Sequence, residues 1–165
     1  MDWAIMKVLT RQECIAWCRD HSIVLNDRSL PDLAGAELKF EIPNDTQKRI
    51  YLSRRAMEEF ADEPTVLVWL NDWSVWPSGQ RMHIFDRLRM SYGENRPIIE
   101  APAQVFQQLE IEDAISFVTL AVIFLWDCYV ITPNRARFLF FSHDEYGLAT
   151  QSRLGENVSW LRQSR

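Results

Sequence analysis

Asp72, His143 and Asp144 are the side chains in this sequence best suited to move a proton or hold a cation, with Asn71, Trp73, Trp76 and Glu145 beside them. An imidazole titrates near neutral pH, and a neighbouring carboxylate can orient it or hold it charged. These groups belong to two segments far apart in the chain, so they form a site only if the fold brings the segments together. The first segment is also crowded with indoles: Trp69, Trp73 and Trp76 are three of the seven tryptophans. Large, stiff, amphipathic rings beside a strand end build either a core corner or the wall of a binding surface.

No complete catalytic motif accompanies them. A Gly-x-Ser-x-Gly elbow is missing, Gly79 and Gly93 stand alone instead of forming a phosphate-binding loop, and no His-Glu-x-x-His pair exists. The nearest approach to a metal set is His143 with Asp144 or Glu145 and His83, a scatter that does not have ligand spacing. Cys14 and Cys18 are one helical turn apart, and Cys128 makes the number odd, so reduced, buried thiols are expected. His21 lies three residues after Cys18, a pairing no more specific than chance. On this reading there is no catalytic residue, no metal and no cofactor.

Composition narrows the partners. Eighteen basic and twenty-three acidic residues give a formal charge of −5, which repels phosphate backbones, so nucleic acid is not expected. Arg81, Arg87 and Arg89, with Lys48, Arg49, Arg54 and Arg55, form the basic clusters, and they read as solvated helix faces. The longest apolar run, residues 114–126, is interrupted by Ser116 and Thr119 and is shorter than the roughly 20 residues a membrane span needs. With no basic leader followed by an apolar stretch, a cytoplasmic location is expected.

The elements that would position the site follow from spacing. Thr10 to Glu13 has the form of a capping box and opens a helix over about 11–21. Leu38, Phe40 and Ile42 alternate with Lys39 and Glu41, the period of a strand, and Pro43 ends it. Asp45 can cap a helix over 46–61 with Ile50, Met57, Phe60 and Ala61 on one face, and a hairpin through 49–53 is the competing reading. The continuous apolar run 65–70 reads as a strand covered on both faces with parallel neighbours. A helix over 79–91 capped by Ser78, a proline-bounded connector over 96–102 and a core helix over 112–126 come next. Two strands over 128–132 and 137–142, joined by residues 133–136, form a hairpin.

Together these predict one α/β domain over residues 1–165. It has a mixed sheet of about four strands, a βαβ start, helices packed on the sheet, a C-terminal β-hairpin and a loosely packed tail after about 150. If the third strand runs opposite to the second, the fourth runs with it, and Asn71, Asp72, Trp73 and Trp76 share a sheet end with His143, Asp144 and Glu145. The function expected is a non-catalytic protein-binding module, of the inhibitor or immunity-protein kind, whose acidic and aromatic surface meets a basic partner. The alternative is a hydrolase or metal-dependent enzyme using Asp72, His143 and Asp144.

Overall fold

The computed structural model describes residues 6–72 and 82–150. In chain order the elements are β1 (Lys7–Leu9), α1 (Arg11–Asp20), β2 (Leu38–Glu41), α2 (Thr46–Met57), β3 (Thr65–Asn71), α3 (Met82–Met90), β4 (Ala103–Gln107), α4 (Ile111–Ile123), β5 (Asp127–Ile131), β6 (Phe138–Phe141) and β7 (Tyr146–Ala149). The expected tail and the Ser78 cap lie outside the described residues.

The α/β class holds, but the sheet is not the one expected. Among the described residues it has seven strands in the order β1-β4-β3-β5-β6-β7-β2, and every adjacent pair is antiparallel. There is no βαβ start: β2 lies at one edge, separated from β3 by β7, β6 and β5. The sheet is neither mixed nor four-stranded. β5 and β6 pair as a hairpin in the predicted place, and β7 continues it into a meander.

The error over β3 has a clear physical source. Val66, Val68 and Leu70 enter a core built with Ala56 and Met57 of α2, Phe85 of α3 and Phe117 and Val118 of α4. Leu67 and Trp69 enter a second core on the opposite face, with Cys14 and Cys18 of α1 and Ile23 and Leu30 of the loop that follows it. A strand covered on both faces reads as an unbroken apolar run whatever the direction of its neighbours, because burial on two sides removes the alternation. At about 1.5–3 kcal/mol for each large side chain taken from water, the two cores are the main favourable term in folding.

Local chemistry sets the helices. Thr10 Oγ1 accepts the Glu13 amide at 3.3 Å while the Glu13 carboxylate accepts the Thr10 amide at 2.7 Å, the predicted capping box. Asp45 caps α2 by accepting the Lys48 amide at 2.8 Å, so helix replaces the competing hairpin. The buried stripe of α2 is Arg49, Leu52, Ser53, Ala56 and Met57, continued by Phe60, whereas Ile50 faces outward. Arg49 can lie there because its donors are used: Nε reaches the Pro43 carbonyl at 2.6 Å, Nη1 reaches the Ile123 carbonyl at 3.1 Å, and Nη2 lies 3.6 Å from Glu145. Ser53 Oγ is joined to Thr119 Oγ1 at 2.8 Å. Among the described residues no helix is long and apolar enough to cross a membrane.

The loop after α1 is also ordered by its own side chains. Asn26 Oδ1 accepts the amides of Arg28 and Leu30, at 2.9 and 3.2 Å, and Leu25 bridges Pro31. An asparagine carbonyl that mimics a backbone acceptor turns the chain so that Leu30 drops into the second core.

Candidate functional site

The end of β3 and the end of β6 share one edge of the sheet. Both strands run antiparallel to β5, which lies between them, so Asn71 and Phe141 finish at the same side. The first residue of β5, Asp127, stands directly opposite Asn71. β6 then turns into β7 through His143, Asp144 and Glu145. The Glu145 amide donates to the Ser142 carbonyl at 3.2 Å, the Ser142 amide donates to Tyr146 at 2.8 Å, and Glu145 takes a left-handed φ of 64°. This is a three-residue hairpin loop closed by a residue with positive φ, and Asp144 is braced by its amide donating to Ser142 Oγ at 3.2 Å.

The loop hands His143 back to Asp127. Asp127 Oδ1 accepts the His143 amide at 2.8 Å and sits 2.8 Å from His143 Nδ1, which donates to it. That contact fixes the ring so that Nε2 is the nitrogen turned outward, 3.5 Å from the Asp144 carboxylate. The Asp127 side chain is only 10% exposed, that of His143 24% and that of Asp144 71%, so the pair is rooted inside and rimmed outside. Asp72 completes the rim at a φ of 48°, a region aspartate tolerates better than most residues, with Asn71 Nδ2 donating to its Oδ2 at 2.8 Å.

The electrostatics follow from this packing. Burial alone would keep the His143 imidazole neutral, but the hydrogen bond to Asp127 and the fields of Asp127, Asp144 and Asp72 outweigh it and raise its pKa above the ordinary value. Burial raises Asp127, only partly opposed by the two hydrogen bonds from His143, and the nearby charge of Asp72 adds to the rise. Burial, with the fields of Asp127 and Asp72, also raises the Tyr129 hydroxyl. Asp72 therefore lies within electrostatic reach of Asp127, Tyr129 and His143.

The residues singled out from the sequence divide accordingly. Asn71, Asp72, His143 and Asp144 come together around Asp127. Glu145 is in the same loop but turns its carboxylate to Arg49 of α2, tying the loop to the helical layer. Trp73 and Trp76 lie outside the described residues, as does Arg81. Of the basic clusters, Arg87 is exposed, whereas Arg49 and Arg89 are buried and not part of a solvated face. The thiols of Cys14, Cys18 and Cys128 are unpaired and buried, and His21 stacks on Trp17 at 4.1 Å between ring centres. Among the described residues no group of three or more His, Cys, Asp or Glu side chains is arranged to hold a metal ion.

Asp127, at the centre of this group, belongs to no motif in the sequence. Its signal was there: a lone carboxylate opening an apolar strand, between Trp126 and Cys128, must be buried and therefore needs a donor. Comparisons of the chain with protein-family models, with curated proteins and with solved structures each returned no match.

Proposed function

We propose that this chain is a non-catalytic protein-binding module, of the inhibitor or immunity-protein kind, that offers the acidic sheet end around His143 to a cationic surface of a partner. The observation that supports this reading most is the rim itself: the exposed Asp144 and Asp72 carboxylates flank an imidazole anchored to a buried one. A rim held in place before encounter loses little freedom on binding, and its charge, with the formal −5 of the whole chain, speeds approach of a basic partner. Three unpaired buried cysteines suit a reducing compartment such as the cytoplasm.

The test is affinity capture with a tagged chain, identification of the captured protein, and measurement of association rates with the purified pair at low and moderate salt. Exchange of both Asp72→Asn and Asp144→Asn should slow association several-fold at low salt and leave the chain folded by circular dichroism. A partner that binds the double variant as fast as the parent chain rules this surface out.

A second reading is favoured by one specific contact, the donation from His143 Nδ1 to buried Asp127. A carboxylate that fixes the tautomer and orientation of an imidazole is the arrangement hydrolases use to make Nε2 accept a proton. In this reading His143 takes a proton from water, with Asp72 and Asp144 orienting substrate. Ester, phosphoester and peptide substrates assayed against the parent chain and His143→Gln decide it: turnover that disappears in the variant favours the hydrolase, and equal background in both removes it.

A further inference from the structure

His143 stands between two carboxylates with opposite surroundings. Its Nδ1 lies 2.8 Å from Asp127, whose side chain is 10% exposed, and its Nε2 lies 3.5 Å from Asp144, whose side chain is 71% exposed. The buried carboxylate fixes the ring, and the exposed one is where a partner's cation would arrive. When the ring is charged, Nε2 carries a proton toward Asp144 and offsets that carboxylate from within the chain. When it is neutral, Nδ1 keeps the proton for Asp127, so Nε2 presents only a lone pair and Asp144 is left to face a cation from outside.

The remaining groups around the ring leave this exchange to His143. Asp72, at the end of β3, adds its field to those of Asp127 and Asp144, and together with the hydrogen bond to Asp127 they outweigh burial and favour the charged ring. Glu145, in the same loop, is drawn away to Arg49 of α2. Burial raises the Tyr129 hydroxyl of β5, against the field of Arg28 from the loop after α1, so it stays protonated at neutral pH. Tyr146 of β7 lies under the Lys39 ammonium, 4.5 Å from its ring centre. Asp127 also keeps an acceptor in reserve. Both bonds from His143 fall on Oδ1, and no donor among the described residues reaches Oδ2. A carboxylate this buried calls for a further donor, which a guanidinium can supply.

We infer that His143 gates the acidic rim, the neutral ring admitting a cationic partner and the charged ring weakening its hold. The inference rests on the protein-binding function proposed above and adds its regulation. One unit of charge beside the arriving cation corresponds to about three- to tenfold in affinity.

Fluorescence polarisation of a labelled tetra-arginine peptide, at low and constant ionic strength between about pH 5.5 and 8.5, tests it, since arginine stays charged throughout. Affinity for the parent chain should rise about three- to tenfold as pH passes through the His143 titration, and His143→Gln should stay at the tight end across the range. By reciprocity, saturating peptide should lower the His143 pKa followed by NMR. Three results overturn the gate and leave the binding reading standing, provided that Asp72→Asn with Asp144→Asn weakens the peptide. They are a parent affinity indifferent to pH, a parallel rise in His143→Gln that is folded by circular dichroism, and a His143 titration that the bound peptide does not move. A peptide that binds at no pH, or binds the two-aspartate variant as tightly as the parent, removes the binding reading and the gate with it.

Discussion

Asp127 Oδ1 accepts two hydrogen bonds from one residue, His143, from its backbone amide and from ring Nδ1, each at 2.8 Å. One carboxylate thereby fixes both the hairpin loop and the imidazole it carries, across the start of β5. The consequences of this and of three other packing arrangements are measurable.

Protonation and stability are linked through this pair. His143 has a folded-state pKa above its unfolded one, so its contribution to stability is fully present below the ordinary imidazole pKa and is lost as pH rises through the elevated value. Asp127 is also raised, by burial first, and its effect has the same sign but begins at the ordinary carboxylate range. Thermal midpoints should therefore fall as pH climbs through the His143 titration. In Asp127→Asn the burial of His143 is opposed only by the smaller fields of Asp144 and Asp72, so its pKa, followed by NMR, should drop and the decline should flatten. An unchanged His143 titration in that variant would contradict the linkage.

Gly147 leaves room for a neighbour. It stands opposite Phe40 across the β2 and β7 pair, and a methyl group added at Gly147 would overlap the Phe40 ring. Gly147→Ala should cost about 1–3 kcal/mol by chemical denaturation, the usual range for overpacking. Combining it with Phe40→Leu should cost less than the sum of the two single changes, because the smaller side chain frees the space. Strict additivity would show that the ring is not the obstacle.

Arg89 is 1% exposed, and among the described residues its guanidinium has one ion pair, with Asp86 at 3.6 Å. Both terminal nitrogens are buried without a hydrogen-bond partner. Burial lowers its pKa, against the fields of Glu94 and Asp86. A charge held at this cost is poorly compensated, so Arg89→Met, which keeps the length of the side chain, should leave stability unchanged or raise it by about 1–4 kcal/mol. A clear loss in urea unfolding would mean that Arg89 holds α3 by contacts a methionine cannot make.

The cysteines should be silent to thiol reagents. Cys14, Cys18 and Cys128 are fully buried, and burial pushes all three thiols up, Cys18 to about 12. The thiolate is the reactive form, so labelling at neutral pH should proceed only through unfolding, with three groups reacting in denaturant and none quickly without it. Rapid modification of any one in the folded chain would show that its core opens locally.

Much of this was written plainly in the sequence where local chemistry decides. Thr10 and Glu13, Asp45 and the alternation over Leu38 to Ile42 each announce an element because the signal and its cause lie within a few residues. The joint end of β3 and β6 also followed from counting strand directions. What escaped depends on distant partners. β1 has three residues, β4 begins among residues that resemble a proline connector, and β7 carries a glycine, so none shows a strand period. Arg49 hides the buried stripe of α2, since a charged residue belongs inside only when carbonyls at Pro43 and Ile123 are there to receive it. Asp127 was overlooked for the same reason, its donor being supplied by a loop sixteen residues away.

The position of β2 bears on how the protein is made. Among the described residues its only strand neighbour is β7, so β2 is made well before residues 146–149 exist to receive it. Until then its apolar side has no sheet to join, and the nascent chain carries an unsatisfied ribbon that a chaperone could shield. The long sequence separation between the two strands makes closure of that edge a slow step by loop-closure entropy.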